Sequence, residues 1–174
     1  MYASITAAFC GLAGPRHGKA NQDCLQFVHE VWKEVGDTPT PAQVEKCIRA
    51  RLSNNKLVFG FGHAVLRVED PRATVMYDFL QKNYSDNPLV RLALLLRSEG
   101  SKVLSENPKI SDPHPNVDAA SGVMLAVAGF NYPEYFTVLF GLSRAVGIAI
   151  QIIYERCEAT RRKGNPYRTP QISL

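Results

Sequence analysis

The sequence has little cysteine and no arrangement of it that does chemistry. Cys10, Cys24, Cys47 and Cys157 form no CxxC pair and no metal-ligand spacing. That pattern favours free thiols in a reducing compartment over a disulfide frame or a zinc site, and no metal or cofactor is expected. The short apolar stretch MYASITAAFCGLAG has no basic region before it and no arginine-rich character, so neither a secretory signal nor a transit peptide is read there. Internal repeats, low-complexity tracts and alternating strand patterns are all absent, leaving an essentially all-α reading. Charge of one sign is scarce as well: 20 Lys and Arg face 16 Asp and Glu, a net +4 spread along the chain except for one run near its end. No dedicated nucleic-acid surface follows from that balance, whereas anionic small molecules remain suitable partners.

The 174 residues are 45% hydrophobic, enough to bury a core. From Gln22 to Val35, apolar residues at Leu25, Val28, Val31, Trp32 and Val35 fall at helical spacing, and Gly36 follows where a C-terminal cap belongs. Thr40, Pro41 and Gln43 supply an N-cap, a first-turn proline and a capping-box partner for a second helix with Val44, Ile48 and Leu52 on its apolar face. Residues 57–72 read as a loop entering a third helix, capped by Asp70 and Pro71, with Val75, Met76, Phe79 and Leu80 expected to face inward. Asn87-Pro88 opens a fourth, which Gly100 is expected to weaken or bend. Three prolines in NPKISDPHPN make that stretch irregular and deliver Asp118 to the next apolar segment.

From about Pro133 to Tyr154 the chain is apolar nearly all round, the mark of a helix buried in a larger body or at a subunit interface. Tyr135 to Ile153 approaches membrane-spanning length, but Arg144 at its centre, with Ser143 and Gln151 nearby, would be costly in lipid. A soluble setting without a membrane is therefore expected. The basic run Arg161-Arg162-Lys163 reads as a solvated helix end, with Gly164 as terminator.

Three segments set polar side chains among glycine and proline, where backbone can approach a ligand: GPRHGKANQ with His17, GFGHAVLRVEDPR with His63, and HPNVDAASG with Asp118. Singly, each has a plain structural alternative, a turn histidine or a helix N-cap. His29, on the edge of an apolar helix face, and His114, between prolines, are read as structural.

Together with the YFTVLFGLSRAVG segment, and in this order, these motifs resemble the citrate synthase family, in the form found in mitochondria and some bacteria. The resemblance runs through the whole chain. It implies an all-α homodimer in which residues 1–17 end a large-domain portion, 18–122 form a small domain, and 123–174 return to the large domain. It implies condensation of acetyl-CoA with oxaloacetate, followed by hydrolysis of the citryl thioester. Removing a proton beside a thioester needs a carboxylate base and a donor at the carbonyl oxygen. Asp118 matches the family's base, His17 its donor, and His63 the histidine that polarises the ketone. Arg72 and Arg144 match ligands of the oxaloacetate carboxylates, which suit planar guanidinium forks. Arg168 matches, more loosely, an arginine that reaches the neighbouring subunit's site.

CoA is expected against the loop of Val58, Gly60, Phe61 and Gly62, with Asn116 near the pantetheine arm. The sequence departs from the family at Phe59, Phe61, Arg16 and Ala120, the last two of which are expected to alter pocket polarity. The family chain continues far upstream, so this stretch is expected to be inactive or poorly folded alone. The location expected is the mitochondrial matrix in a eukaryote and the cytoplasm in a bacterium. Alternatives are 2-methylcitrate synthase acting on propionyl-CoA, the related module of ATP-citrate lyase, and a non-catalytic interaction or filament protein on the same scaffold.

Overall fold

In a computed structural model, residues 1–161 are described, with side chains to residue 158. Among them the regular structure is helical: α1 (Tyr2–Leu12), α2 (Gly18–Val35), α3 (Pro41–Ser53), α4 (Pro71–Tyr84), α5 (Pro88–Ser105), α6 (Asp118–Val127) and α7 (Phe136–Arg161), with a 3₁₀ turn at Pro133–Tyr135. One isolated bridge, Phe61 to Pro115, is the only β pairing among the described residues.

Helix starts follow local chemistry. Thr40 closes a full capping box with Gln43, and Asp70 and Asn87 each accept a backbone N–H at the head of α4 and α5, followed in all three cases by proline. These caps stabilise by about 1 kcal/mol each. Gly36, at φ +77°, ends α2 in a conformation that other residues avoid.

Helix α2 is the axis of the body. Leu25, Phe27, Val28 and Val31 are buried against α3, α5, α6 and α7, and each such side chain contributes roughly 1.5–3 kcal/mol on burial. Leu92, Ala93 and Leu96 of α5, Ala120 and Val123 of α6, and Val44 and Ile48 of α3 complete the core.

Helix α4 corrects the sequence reading. Its buried face is Ala73, Tyr77 and Leu80, with Met76 partly covered, while Val75 and Phe79 stand in the open. The inward stripe is therefore one residue away from the row of largest hydrophobes. The physical reason is the seat for Tyr77, whose ring is covered by the Arg97 guanidinium 4.6 Å from its centre. Gly100 likewise does not interrupt α5, which continues to Ser105; it is buried because the Phe61 ring occupies the place a side chain would take.

Helix α7 packs on α1 and α2 through residues such as Phe136 and Gly141. Its remaining surface is apolar and uncovered: Val138, Leu142, Val146, Ile150, Ile153 and Tyr154 are all exposed. Residues 133–158 are long and apolar enough by composition to cross a membrane, and only 11% of the most apolar window is buried within this chain. Gly164 and most of the Arg161-Arg162-Lys163 run lie outside the described residues.

Candidate active site

Two loops are clasped together at the head of α6. The Asn116 N–H donates to the Gly60 carbonyl at 2.9 Å, and the Gly62 N–H donates to His114 O at 3.0 Å. The Asn116 side chain then bridges both loops, donating to Gly62 O and accepting from the Asp118 N–H, each at 3.0 Å. Gly60 makes this closure possible. At φ +85° its backbone is strained for other residues, and a Cβ there would lie 2.9 Å from both Ala119 and the Cys24 sulfur. The clasp sets His63 and Asp118, far apart in sequence, on one wall.

That wall belongs to a cleft of about 490 Å³ that brings together His17, His63, Arg72, Asn116, Asp118 and Arg144, along with Arg16 and Phe140. His17 stands at the N-cap position of α2, where its own side chain makes no cap bond and is exposed. Its placement depends on Gly18, pressed against Leu12 and Thr137, where a Cβ would sit 2.9 Å from the Leu12 carbonyl. His63 is held in one tautomer: its Nδ1 accepts from the backbone N–H groups of Val65 and Leu66, both at 3.0 Å. A ring nitrogen that accepts two bonds carries no proton, so Nε2 is the donor.

Asp118 is not a helix cap, because Val117 holds that position and no side chain caps α6. Its Oδ1 is buried without a partner. Burial raises its pKa above the ordinary carboxyl value, against the pull of the nearby Asn21 amide and the charges of Arg72 and Arg144. A carboxyl group held this way is a stronger base than one in water.

The cations are held differently. Arg72, on the first turn of α4, is gripped by the buried Asp70 carboxylate at 2.7 Å, which fixes the direction of its fork. Arg144 stacks on Phe140, 4.4 Å from the ring centre, and donates to Ser143 at 2.6 Å. Among the described residues it makes no ion pair within 4.0 Å. Arg16, Arg72 and Arg144 give the cleft three guanidinium groups around one carboxyl, a setting suited to a small dianion.

A second cavity of about 340 Å³ adjoins the first at Gly62 and His63, which line both. Val58 and Phe61 are on its wall, with Lys56 and Lys109 alongside. Gly60 is buried and lines neither cavity; in this structure it serves the closure of the loop. Ala120 is fully buried in the core and cannot change cleft polarity, whereas Arg16 does line the cleft. Arg168 lies outside the described residues. His29 stacks on Trp32 and His114 accepts from Gly62 through its carbonyl oxygen, both away from the cleft wall.

Sequence reasoning missed Asp70 as the holder of Arg72, and Asn21 and Ser121 beneath Asp118. Asn21 carried a legible signal: Gly18, Asn21, Leu25 and Val28 share one helical stripe, and a polar amide on that buried face is out of place.

The family described as "Citrate synthase, C-terminal domain" matches residues 1–167. Mitochondrial citrate synthase of Fragaria ananassa is 44% identical over 155 residues, covering 89% of this chain and 33% of that protein. Mitochondrial 2-methylcitrate synthase of Yarrowia lipolytica is 41% identical over the same length and shares. The citrate synthase of Thermoplasma acidophilum, solved as a ternary complex with carboxymethyl coenzyme A and oxaloacetate, superposes with a TM-score of 0.75 at 29% identity, covering all of this chain and 43% of that one. The chain thus spans about a third of the length of the curated relatives it matches.

Proposed function

The chain belongs to the citrate synthase family, and from that premise we propose that it supplies most of the catalytic side chains for condensing acetyl-CoA with oxaloacetate to citrate and CoA, the entry step of the tricarboxylic acid cycle. The observation that carries this reading is one cleft holding a desolvated carboxyl, Asp118, beside a histidine donor of fixed tautomer, His63, and two directed guanidinium groups, Arg72 and Arg144.

In the proposed reaction the Asp118 carboxylate takes a proton from the methyl group of acetyl-CoA while His17 donates a hydrogen bond to the thioester oxygen. The enolic carbon attacks the ketone carbon of oxaloacetate as His63 Nε2–H polarises, and then protonates, the ketone oxygen. Arg72 and Arg144 hold the two substrate carboxylates, with Arg168 as a further candidate. Water then cleaves the citryl thioester, releasing CoA. Each acid-base or oxyanion group contributes a factor of roughly 10²–10⁴ in rate. The adjoining cavity at Val58, Phe61 and Gly62 supports a CoA path that enters past His63, and Lys56 and Lys109 beside it suit phosphate.

The remaining parts of the proposal concern assembly. The division into residues 1–17, 18–122 and 123–174 sets α2 to α5 and the first half of α6 in the middle portion, whose core also takes in Val123 and Phe136. The uncovered apolar face of α7 supports a homodimer. Relatives named as mitochondrial support a mitochondrial location in a eukaryote.

The test is CoA thiol release with acetyl-CoA and oxaloacetate, on the 174-residue chain and on a full-length protein containing it, with Asp118→Ala as control. Release by the full-length protein that requires oxaloacetate and Asp118 supports the reading, and a silent, well-folded full-length protein sinks it. The Yarrowia lipolytica relative favours one second reading, turnover of propionyl-CoA. Faster thiol release with propionyl-CoA than with acetyl-CoA would select it.

A further inference from the structure

The loop that leads from α3 to His63 is fastened unevenly. Its far end is clasped at Gly60 and Gly62 to Asn116 and His114. Its near end has no such ties: among the described residues, Leu57, Val58 and Phe59 make no backbone-to-backbone hydrogen bond. The Leu57 side chain is 72% exposed, so burial does not hold it either. Yet Lys56, Leu57 and Val58 form one edge of the cavity of about 340 Å³ beside His63.

One side chain reaches this edge from the body. Arg51, in the last turn of α3, donates from Nε to the Leu57 carbonyl at 2.8 Å. Its Nη1 donates to Glu30 Oε2 of α2, also at 2.8 Å, and the guanidinium lies over the Phe27 ring, 4.6 Å from its centre. The Phe59 ring stands 5.9 Å from the same group and 6.3 Å from the Phe27 ring. Asn55, at φ +54°, and a bond from the Lys56 N–H to the Arg51 carbonyl at 3.0 Å fold the chain back and bring Leu57 within reach. A planar fork suits this place, because one rigid group supplies donors in two directions and a flat face for a ring. Only 17% of the Arg51 side chain is exposed, and Glu30 balances its charge.

Resting on the condensation reading and its coenzyme path, we infer that Arg51, oriented by Glu30, is a positioning residue that holds the Leu57 carbonyl and so sets the near edge of the acyl-CoA cavity. Neither Arg51 nor Glu30 lines that cavity or the cleft, so both act through the loop. With the near edge released, Leu57 to Phe59 sample conformations of which only a fraction can bind, and affinity falls by that fraction. The chemistry of the loaded site stays with other residues.

The experiment measures kcat, KM for acetyl-CoA and KM for oxaloacetate in the full-length enzyme and its Arg51→Ala and Glu30→Ala variants, with the Kd of CoA by calorimetry. In Arg51→Ala, loss of one hydrogen bond from a charged donor raises KM for acetyl-CoA and Kd for CoA together by roughly tenfold. Both kcat and KM for oxaloacetate stay within about twofold. Glu30→Ala separates aim from charge, and decides the matter if Arg51→Ala does not fold. Removing a carboxylate near an anionic ligand tightens binding through the field alone, whereas loss of the orienting partner weakens it, here by about threefold. CoA bound by either folded variant as tightly as by the wild type, or more tightly, overturns this inference alone. So does a fall in kcat with both KM values raised alike. A silent, well-folded wild-type enzyme overturns it together with the condensation reading.

Discussion

Asp70 holds Arg72 twice. Its carboxylate accepts the Arg72 backbone N–H at 2.9 Å, capping α4, and grips the same residue's guanidinium through Nε at 3.0 Å and Nη2 at 2.7 Å. One buried side chain thus starts a helix and points a fork into the cleft. Asp70→Asn keeps a capping oxygen but loses the charge, so stability falls little while KM for oxaloacetate rises roughly tenfold, about 1.4 kcal/mol. Asp70→Ala loses both functions and is destabilised by a further ~1 kcal/mol. Steady-state kinetics and urea midpoints on the full-length enzyme check the pair.

The same grip predicts an acid dependence. The Arg72 hydrogen bond, set against burial, holds the Asp70 carboxyl below its ordinary value near 3.8. Because the folded-state pKa is depressed, the unfolded chain takes up the proton first as pH falls. The stabilisation is complete above about pH 5 and lost as pH drops through 3.8 toward the folded value. Asp70→Ala should show a shallower fall in unfolding free energy over that range, and an unchanged slope would count against the grip.

Asp118 has the opposite sign. Burial raises its folded-state pKa, so between the ordinary carboxyl value and the raised one the unfolded chain carries fewer protons, and stability falls as pH rises through that interval. Wherever the buried group is ionised, it is a standing cost. Asp118→Asn should therefore raise the thermal midpoint at pH 7 while lowering thiol release by about 10²–10⁴-fold. A variant that loses activity and stability together would show that the carboxylate is structural.

Gly100 is a seat for Phe61. A methyl group at Gly100 would overlap the Phe61 ring, which belongs to the loop carrying His63. Gly100→Ala should cost about 1–3 kcal/mol by overpacking, despite the better helix propensity of alanine. In a Phe61→Ala background the penalty should largely vanish, so a double-mutant cycle by urea denaturation measures the coupling directly.

The open face of α7 predicts an assembly defect. Val146, 70% exposed, stands in the row from Val138 to Ile150. If the proposed homodimer forms through this face, Val146→Asp shifts the full-length protein toward monomer in light scattering, because an unpaired carboxylate in an apolar interface is costly to desolvate. An unaltered mass would place this face outside the dimer contact.

Much of the scaffold was legible from local chemistry. Thr40-Pro41-Ala42-Gln43, Asp70-Pro71 and Asn87-Pro88 each mark a helix start, because the groups that satisfy free backbone N–H groups are neighbours in sequence. The motif residues His17, His63, Arg72, Asp118 and Arg144 were also legible, as an ordered set on four separate segments. What could not be read was which face of α4 turns inward, since Tyr77 is chosen by the distant Arg97 rather than by any spacing within the helix.

The sequence by itself therefore determined the helical class, the capped starts of α3, α4 and α5 and the identity of the candidate chemical groups, because these depend on residue type and on neighbours a few positions away. Tertiary structure alone decided how those groups act. Gly62 and Asn116, 54 residues apart, clasp two loops and fix the wall between His63 and Asp118. Desolvation of Asp118, the direction of the Arg72 fork and the meeting of Asn21 with Ser121 across 100 residues all arise from burial and long-range contact, which no local pattern encodes.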